Sequence, residues 1–356
     1  VRRGIAAALA SAAALALSGC GPGTGHGSER GPSASASHRS PSASASYRGP
    51  SAIRLPGNAF LADMVVSDDG TLWVAQGRLS AIAEISPSGK VTQHPLPRGP
   101  GFPPYPYDRQ ESPDGGIWYT AGDQLGRLAP SGRFTWWDGG SYARPNGPGG
   151  GDPGFPDALT LGPDNTIWFE HAERGANVMS RADMKRGLRR IGPMKGKFDI
   201  PVRGIATGPD GAVWFSQQLQ YDEDDRDGVG RLTAEGQYKE WPLPKGTFPQ
   251  SMVAGPDEAL WFTERRGIGR IDTGGRFSHF RVRASEHPGG LVLGPDKALW
   301  FTTDHRVGRI TTKGRVTLWP VRGAKNLTGI VPAPGGGFWL ADRGTDTVRR
   351  FTPPPR

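Results

Sequence analysis

The sequence predicts an all-β chain folded as a seven-bladed β-propeller whose last blade is closed by an N-terminal strand. The first observation is a recurring phrase, a Gly-Pro-Asp turn running into a short strand that carries a tryptophan. It reads Gly208-Pro-Asp-Gly-Ala-Val-Trp-Phe-Ser216, Gly255-Pro-Asp-Glu-Ala-Leu-Trp-Phe-Thr263, Gly294-Pro-Asp-Lys-Ala-Leu-Trp-Phe-Thr302 and Gly162-Pro-Asp-Asn-Thr-Ile-Trp-Phe169, with looser copies through Trp73, Trp118 and Trp339. The second is the period: these seven tryptophans stand 39 to 50 residues apart, the span of one propeller blade. The third is that each unit divides into four short β-rich pieces separated by glycine-containing turns.

Each piece can be justified in order. An apolar strand, as in Gly204-Ile205-Ala206-Thr207, leads into the turn, and the tryptophan strand follows. The third piece reads Leu125-Gly126-Arg127-Leu128, Val229-Gly230-Arg231-Leu232, Ile268-Gly269-Arg270-Ile271 and Val307-Gly308-Arg309-Ile310. The fourth follows a glycine turn, as in Gly236-Gln-Tyr-Lys-Glu-Trp241. A four-stranded antiparallel unit of this size cannot bury both its faces alone, and radial packing against neighbours solves that problem. The last unit has only three strands before the chain reaches Pro353. Residues 51–56, which resemble the fourth strands of other units, are expected to supply the missing one. With 54 Gly and 34 Pro, no apolar spacing of three and four persists, so long helices are not expected.

Most repeated residues read as scaffold. The tryptophan and the aromatic after it are expected to pack between blades. The third-strand arginine is expected to partner backbone or acidic groups, and the Pro-Asp pair to make the turn.

Residues 1–20 read as a lipoprotein signal peptide. Arg2 and Arg3 form a positive start, Ile5 to Leu17 is an apolar run too short to span a bilayer comfortably, and Leu17-Ser18-Gly19-Cys20 resembles a bacterial lipobox. Cys20, the only cysteine, is the expected lipidation site, and no disulfide can form within one chain. Residues 21–50 are Ser, Ala, Gly and Pro with almost nothing apolar to bury, and read as a disordered tether. Residues 51–356 are the propeller. These readings place the protein on the extracytoplasmic face of a bacterial cell membrane, held by its lipid anchor. The net charge is +9, with five arginines against Glu29 in the first 50 residues. The folded part is only mildly basic and has no basic run interleaved with aromatics, so nucleic acid is not an expected partner. A monomer is expected.

Long insertions fall on the edge opposite the Gly-Pro-Asp turns, the top, where function usually sits on a rigid scaffold. Two positions per blade are expected to line the channel entrance there. One set is Ala62, Tyr107, Asp157, Arg203, Gln250, Gly289 and Thr328; the other, just after each tryptophan strand, is Gln76, Ala121, His171, Gln217, Glu264, Thr303 and Asp342. Tyr107, Arg203, Gln217, Gln250, Thr303 and Asp342 are the candidate ligand-binding residues for a small molecule or peptide. Glu264, His171 and Asp157 are the candidate acid/base residues, with Glu170 beside His171. His287 and His305 lie in top loops, whereas His94 and His279 read as surface residues of outer strands, far from the channel. The acidic insertion 222–228 has spacing like a Ca²⁺ loop, without the closing glutamate, since Ala234 stands there.

Gly-Pro-Asp-x-x-Leu-Trp-Phe-Thr-Glu followed by Ile-Gly-Arg-Ile resembles the virginiamycin B lyase (streptogramin lyase) family of seven-bladed propellers, over about residues 51–356. The resemblance implies a Mg²⁺-dependent opening of a cyclic depsipeptide ester by elimination, which needs a base beside an acidic C–H and a cation for the developing charge. It implies a histidine base in a Pro-His-x-Ile phrase, where this chain reads Pro249-Gln250-Ser-Met252 and Pro288-Gly289-Gly-Leu291. It implies a metal-holding glutamate at Glu264. Two functions are therefore expected in competition: ligand capture by a tethered propeller, and a carbon–oxygen lyase of this type.

Overall fold

The computed structural model describes residues 48–96, 106–111, 114–121, 124–138, 158–173, 176–183, 187–193, 202–217, 227–283 and 286–354. The expected signal peptide and nearly all of the tether lie outside them. The described chain forms seven separate four-stranded sheets. Blades one to six run in sequence order over residues 61–95, 106–138, 159–193, 202–242, 252–281 and 291–320. Among the described residues, helix is limited to one short 3-10 turn, Gly77–Leu79.

Closure follows the expected route. The seventh sheet takes Leu327–Pro332, Phe338–Asp342 and Thr347–Phe351 from the C-terminal end and Ala52–Arg54 from the N-terminal end. Ile53 lies opposite Val348 in antiparallel register, and its side chain is buried with Leu61, Trp339 and Val348. Joining the first strand to the last ties the ring shut through hydrogen bonds and apolar burial together.

The cores lie between blades. In blade five, Leu260 and Phe262 face blade four beside Trp214 and Met252, whereas Trp261 faces blade six beside Leu291 and Leu299. Successive residues of a strand point to opposite faces, so a Leu-Trp-Phe sequence serves two seams at once. The third-strand glycine is a steric requirement. A Cβ on Gly230, Gly269 or Gly308 would fall 2.1 to 2.3 Å from the rings of Phe215, Phe262 or Phe301. In these blades the aromatic that follows the tryptophan thus lies across the glycine of the next strand.

The turn aspartate is more than turn chemistry. In blade five, Trp261 Nε1 donates to Asp257 Oδ1 at 2.9 Å and Arg270 Nε to Asp257 Oδ2 at 2.7 Å. Asp210 and Asp296 hold Trp214 with Arg231, and Trp300 with Arg309, in the same way. Burial works against ionisation of Asp210 and Asp296, but the indole N–H and the guanidinium outweigh it and hold both carboxyls below the usual range. The third-strand arginine is therefore an internal partner, as its repetition predicts.

Blades one and three differ for a local reason. Their turns read Asp69-Gly-Thr71 and Asp164-Asn-Thr166, with threonine where blades four to six have alanine. The hydroxyl takes the carboxylate: Thr71 Oγ1 donates to Asp69 at 3.0 Å and Thr166 Oγ1 to Asp164 at 2.6 Å. Trp73 turns to Ser67 Oγ instead, and Trp168 Nε1 is buried with no hydrogen-bond partner among the described residues.

Candidate functional site

The two sets of top-edge residues separate sharply. In the first set, Arg203 and Gln250 are exposed, and Ala62, Gly289 and Thr328 are half-buried. Tyr107 lies in the strand Pro106–Glu111, whose side chains are outside the description, and Asp157 is outside the described residues. The six members of the second set whose side chains are described are withdrawn from solvent. Gln76, Ala121, Gln217, Glu264, Thr303 and Asp342 are all buried, four per cent exposed at most. This corrects the expectation of a solvated mouth built from Gln217, Glu264, Thr303 and Asp342. The reason is parity: Glu264 continues the face of Leu260 and Phe262, and Asp342 that of Phe338 and Leu340, so each points into the seam with the preceding blade.

Four of the buried members have partners of their own, whereas both amide atoms of Gln76 are without a hydrogen bond. Asp342 accepts the backbone N–H of Asn326 at 3.0 Å and the Nε of Arg349 at 3.0 Å, fastening the linker that enters blade seven. The Tyr238 hydroxyl lies 3.5 Å from Gln217 Oε1. Thr303 lies against the Arg306 carbonyl at 3.5 Å. His171 stands in the strand Ile167–Glu173 opposite Val178, and the expected pair of His171 with Asp157 lies outside what the described side chains cover.

Glu264 is the most unusual of the set. It reaches over Gly269, where a Cβ would meet its Oε1 at 2.3 Å, and lies 2.5 Å from Nδ1 of His279 on the outer strand Phe277–Arg281. The histidine bonds Oε2, and Oε1 is buried without a hydrogen bond. Burial pushes the carboxyl up to about 7, opposed by His279 and reinforced by the charge of Asp227. His279 is exposed on the outer strand, as expected, yet its ring also contacts the candidate glutamate. The signal for it was in the sequence. His279 lies opposite Gly269, and a glycine there leaves a gap that a second-strand side chain can cross. His94 likewise bonds Glu84, at 2.7 Å, within blade one.

Among the described residues, no three His, Cys, Asp or Glu side chains converge as a metal would require. Glu264 is turned into a seam toward one histidine, so the described residues do not fit the glutamate-held Mg²⁺ that the resemblance implies. Of the acidic insertion, only Asp227 and Gly228 are described. Asp227 accepts the backbone N–H of Phe248 at 2.7 Å, the work of a structural cap. At the same edge, His287 lies 3.4 Å from Asp304, Arg306 pairs with the buried Glu286 at 2.7 Å, and His305 Nδ1 lies 3.2 Å from the Ala324 carbonyl.

The sequence matches the model of the Virginiamycin B lyase family over residues 56–220 and 156–355. Among solved structures, selenomethionine-substituted virginiamycin B lyase from Staphylococcus aureus superposes with a TM-score of 0.70 at 26% identity, covering 85% of this chain and 98% of that one. A catalytically inactive histidine-to-alanine variant of the Staphylococcus aureus lyase, with quinupristin, gives 0.69 at 26% identity, covering 83% and 96%. A streptogramin B lyase structure gives 0.69 at 24% identity, covering 83% and 95%, a likeness of fold. No curated protein sequence matches.

Proposed function

Because the chain belongs to the virginiamycin B lyase family, we propose that it is a membrane-tethered lipoprotein whose propeller binds a small molecule or peptide at the top of the central channel. The observation that carries this reading is the contrast within the top edge. Arg203 and Gln250, at the same place in adjacent blades, face solvent, while the residues after the tryptophan strands are withdrawn into the seams. A rigid rim presenting varied polar groups suits capture of a ligand. The relative described with quinupristin supports a peptide-like ligand.

Tethering rests on Cys20 at the end of a lipobox-like stretch and on the apolar-poor segment 21–50. On this reading the protein sits on the extracytoplasmic face of a bacterial membrane. Acyl chains hold to a bilayer by about 0.8 kcal/mol per buried methylene. Expression of wild type and Cys20→Ala, followed by membrane fractionation, tests it. Wild type is expected in the membrane and the variant in the soluble fraction, and equal partitioning would sink the lipoprotein reading.

One observation favours a second reading, a streptogramin-type lyase. Glu264 and His279 form a hydrogen-bonded pair in which the carboxyl titrates at about 7, the range a general base requires. An elimination assay on a cyclic depsipeptide, with and without Mg²⁺, separates the two. Binding without turnover is expected. Metal-dependent turnover abolished by Glu264→Ala would replace the binding reading with the enzymatic one.

A further inference from the structure

Charges at the top edge of blades five to seven are sorted by sign. Arg265 and Arg266 stand between the second and third strands of blade five, Arg281 and Arg283 at the end of its outer strand, and Arg322 and Lys325 in the linker that enters blade seven. All six are exposed, and none has an ion pair among the described residues. The acids of this edge are withdrawn. Glu264, Glu286 and Asp342 are buried, the second paired with Arg306 and the third with Arg349. Asp346 accepts the N–H groups of Asn58 and Ala59, and the half-exposed Asp304 lies by His287. Between 264 and 347 only Ala284 and Ser285 lie outside the described residues, and neither carries charge.

The backbone makes these cations neighbours. Gly267 lies opposite Arg281, and the Val282 N–H donates to the Arg266 carbonyl at 3.2 Å, which sets Arg266 beside Arg281 and Arg283. The Glu286 N–H donates to the Arg283 carbonyl at 2.9 Å, and its carboxylate holds Arg306 of blade six. The Val321 N–H donates to the His305 carbonyl at 2.9 Å, which brings Arg322 to the same edge, and the Lys325 N–H reaches Asp342 at 3.3 Å. Arg265 is oriented by the Phe248 ring, 5.1 Å from its centroid. At the opposite edge of these blades both signs are exposed: Glu258 and Asp296 stand with Lys297 and Arg276.

The last residues of the expected tether lie at that opposite edge. The Arg48 N–H donates to the Pro87 carbonyl at 2.8 Å, in the turn between the third and fourth strands of blade one, and the Arg350 N–H donates to the Ser51 carbonyl at 2.7 Å. Strands of a blade alternate in direction, so this turn shares its edge with the Gly-Pro-Asp turns. An anchor before residue 48 therefore joins the propeller at the edge away from the cations.

We propose that the top edge of blades five to seven is a docking surface for a linear polyanion of the cell envelope, a polymer bearing repeated phosphate or carboxylate groups. Six exposed cations against one half-exposed carboxylate create a one-signed field that attracts such a chain. Guanidinium forks receive its oxygens bidentately, and a polymer engages several forks at once where a small anion engages one or two. A lipid surface fits less well, because the anchor enters from the other edge. The surface is separate from the channel mouth; its orientation rests on the tethered reading, and its charge does not.

The test is titration of the full chain, followed by fluorescence anisotropy, with labelled long-chain polyphosphate, poly-glutamate and single-stranded DNA, beside vesicles rich in phosphatidylglycerol. Polyphosphate or poly-glutamate is expected to bind, and to weaken about tenfold or more between about 50 and 200 mM salt. Which of the two binds decides between phosphate and carboxylate sources. Arg265→Gln/Arg266→Gln, Arg281→Gln/Arg283→Gln and Arg322→Gln/Lys325→Gln are each expected to weaken it about threefold or more. Lys297→Gln/Lys313→Gln, at the opposite edge, is expected to leave it unchanged. Urea midpoints check that each variant folds, and three separate pairs keep the test open if one does not. No polymer binding at about 50 mM salt, an equal loss from the opposite-edge pair, or tighter binding of DNA than of either polymer overturns the proposal. So does vesicle binding that falls with the top-edge pairs while polymer binding does not. If the top-edge pairs weaken the polymer but Cys20→Ala stays in the membrane fraction, the surface stands and the tethered reading falls.

Discussion

At the Gly-Pro-Asp edge, Asp210, Asp257 and Asp296 each hold an indole N–H with one oxygen and an arginine with the other. At the opposite edge, Gln217, Glu264, Thr303 and Asp342 are just as regular in position, yet each has a different partner: a tyrosine hydroxyl, a histidine, a carbonyl, and a linker backbone with an arginine. The first edge repeats because the Asp, the tryptophan and the arginine all lie within one blade, so a repeated sequence rebuilds the triad each time. The second varies because the partner positions differ from blade to blade: Tyr238, His279, Arg306 and Arg349 lie in the same blades as the residues they meet, and only Asp342 also reaches a linker. Identical residues at one edge therefore mark a construction common to the blades, and variable residues at the other mark one particular to each blade.

Removing a blade's central tryptophan should cause the largest disruption. Trp261→Ala empties a fully buried site in the seam of blades five and six, and is expected to cost about 3–5 kcal/mol, read as a fall in the urea midpoint. Asp257→Ala strands both the indole N–H and the guanidinium and is expected to cost about 2 kcal/mol. A loss as small as at an exposed aspartate would show that the triad is incidental.

The top edge should respond to pH instead. The folded pKa of Glu264, about 7, lies above its ordinary 4.5, so the protonated form favours folding. That contribution is whole below about pH 4.5 and is lost as pH rises through 7. The stability of wild type relative to Glu264→Gln should thus fall between pH 5 and 8, by on the order of 2–3 kcal/mol. A difference that stays flat with pH would remove the ionisable pair from the account. The smallest effect sharpens the contrast between blades. Thr166→Ala should release Asp164 to the orphaned Trp168 N–H and stabilise blade three by roughly 0.5–1 kcal/mol. No gain would mean that the threonine is not what diverts the carboxylate.

The ring and its closure were legible in advance. Trp73 to Trp339 mark the blades, and the pieces at 52–54 and Thr347–Phe351 pair as their resemblance to other strands implied. The partner of the third-strand arginine was legible too, as a structural one. The top edge was legible only by position. Counting residues after each tryptophan found the right register for Glu264 and Asp342 but assigned them to the entrance, because a repeat does not reveal which side chains the linkers roof over. His279 was passed over for the same reason: its partner lies in another strand, across a glycine.

The sequence by itself determined the blade number, the turn chemistry, the tryptophan seams and the route of closure, because these depend on contacts within one repeat or between identical repeats. Only the tertiary structure decided that Glu264 meets His279, that Asp342 fastens a linker, and that Arg78 and Arg343 share Phe60. Those contacts join residues from different strands, and in the last case from opposite ends of the folded chain. The first pairs two strands of one blade through residues that the repeat does not share, and the others depend on a linker and on where the first and last blades meet.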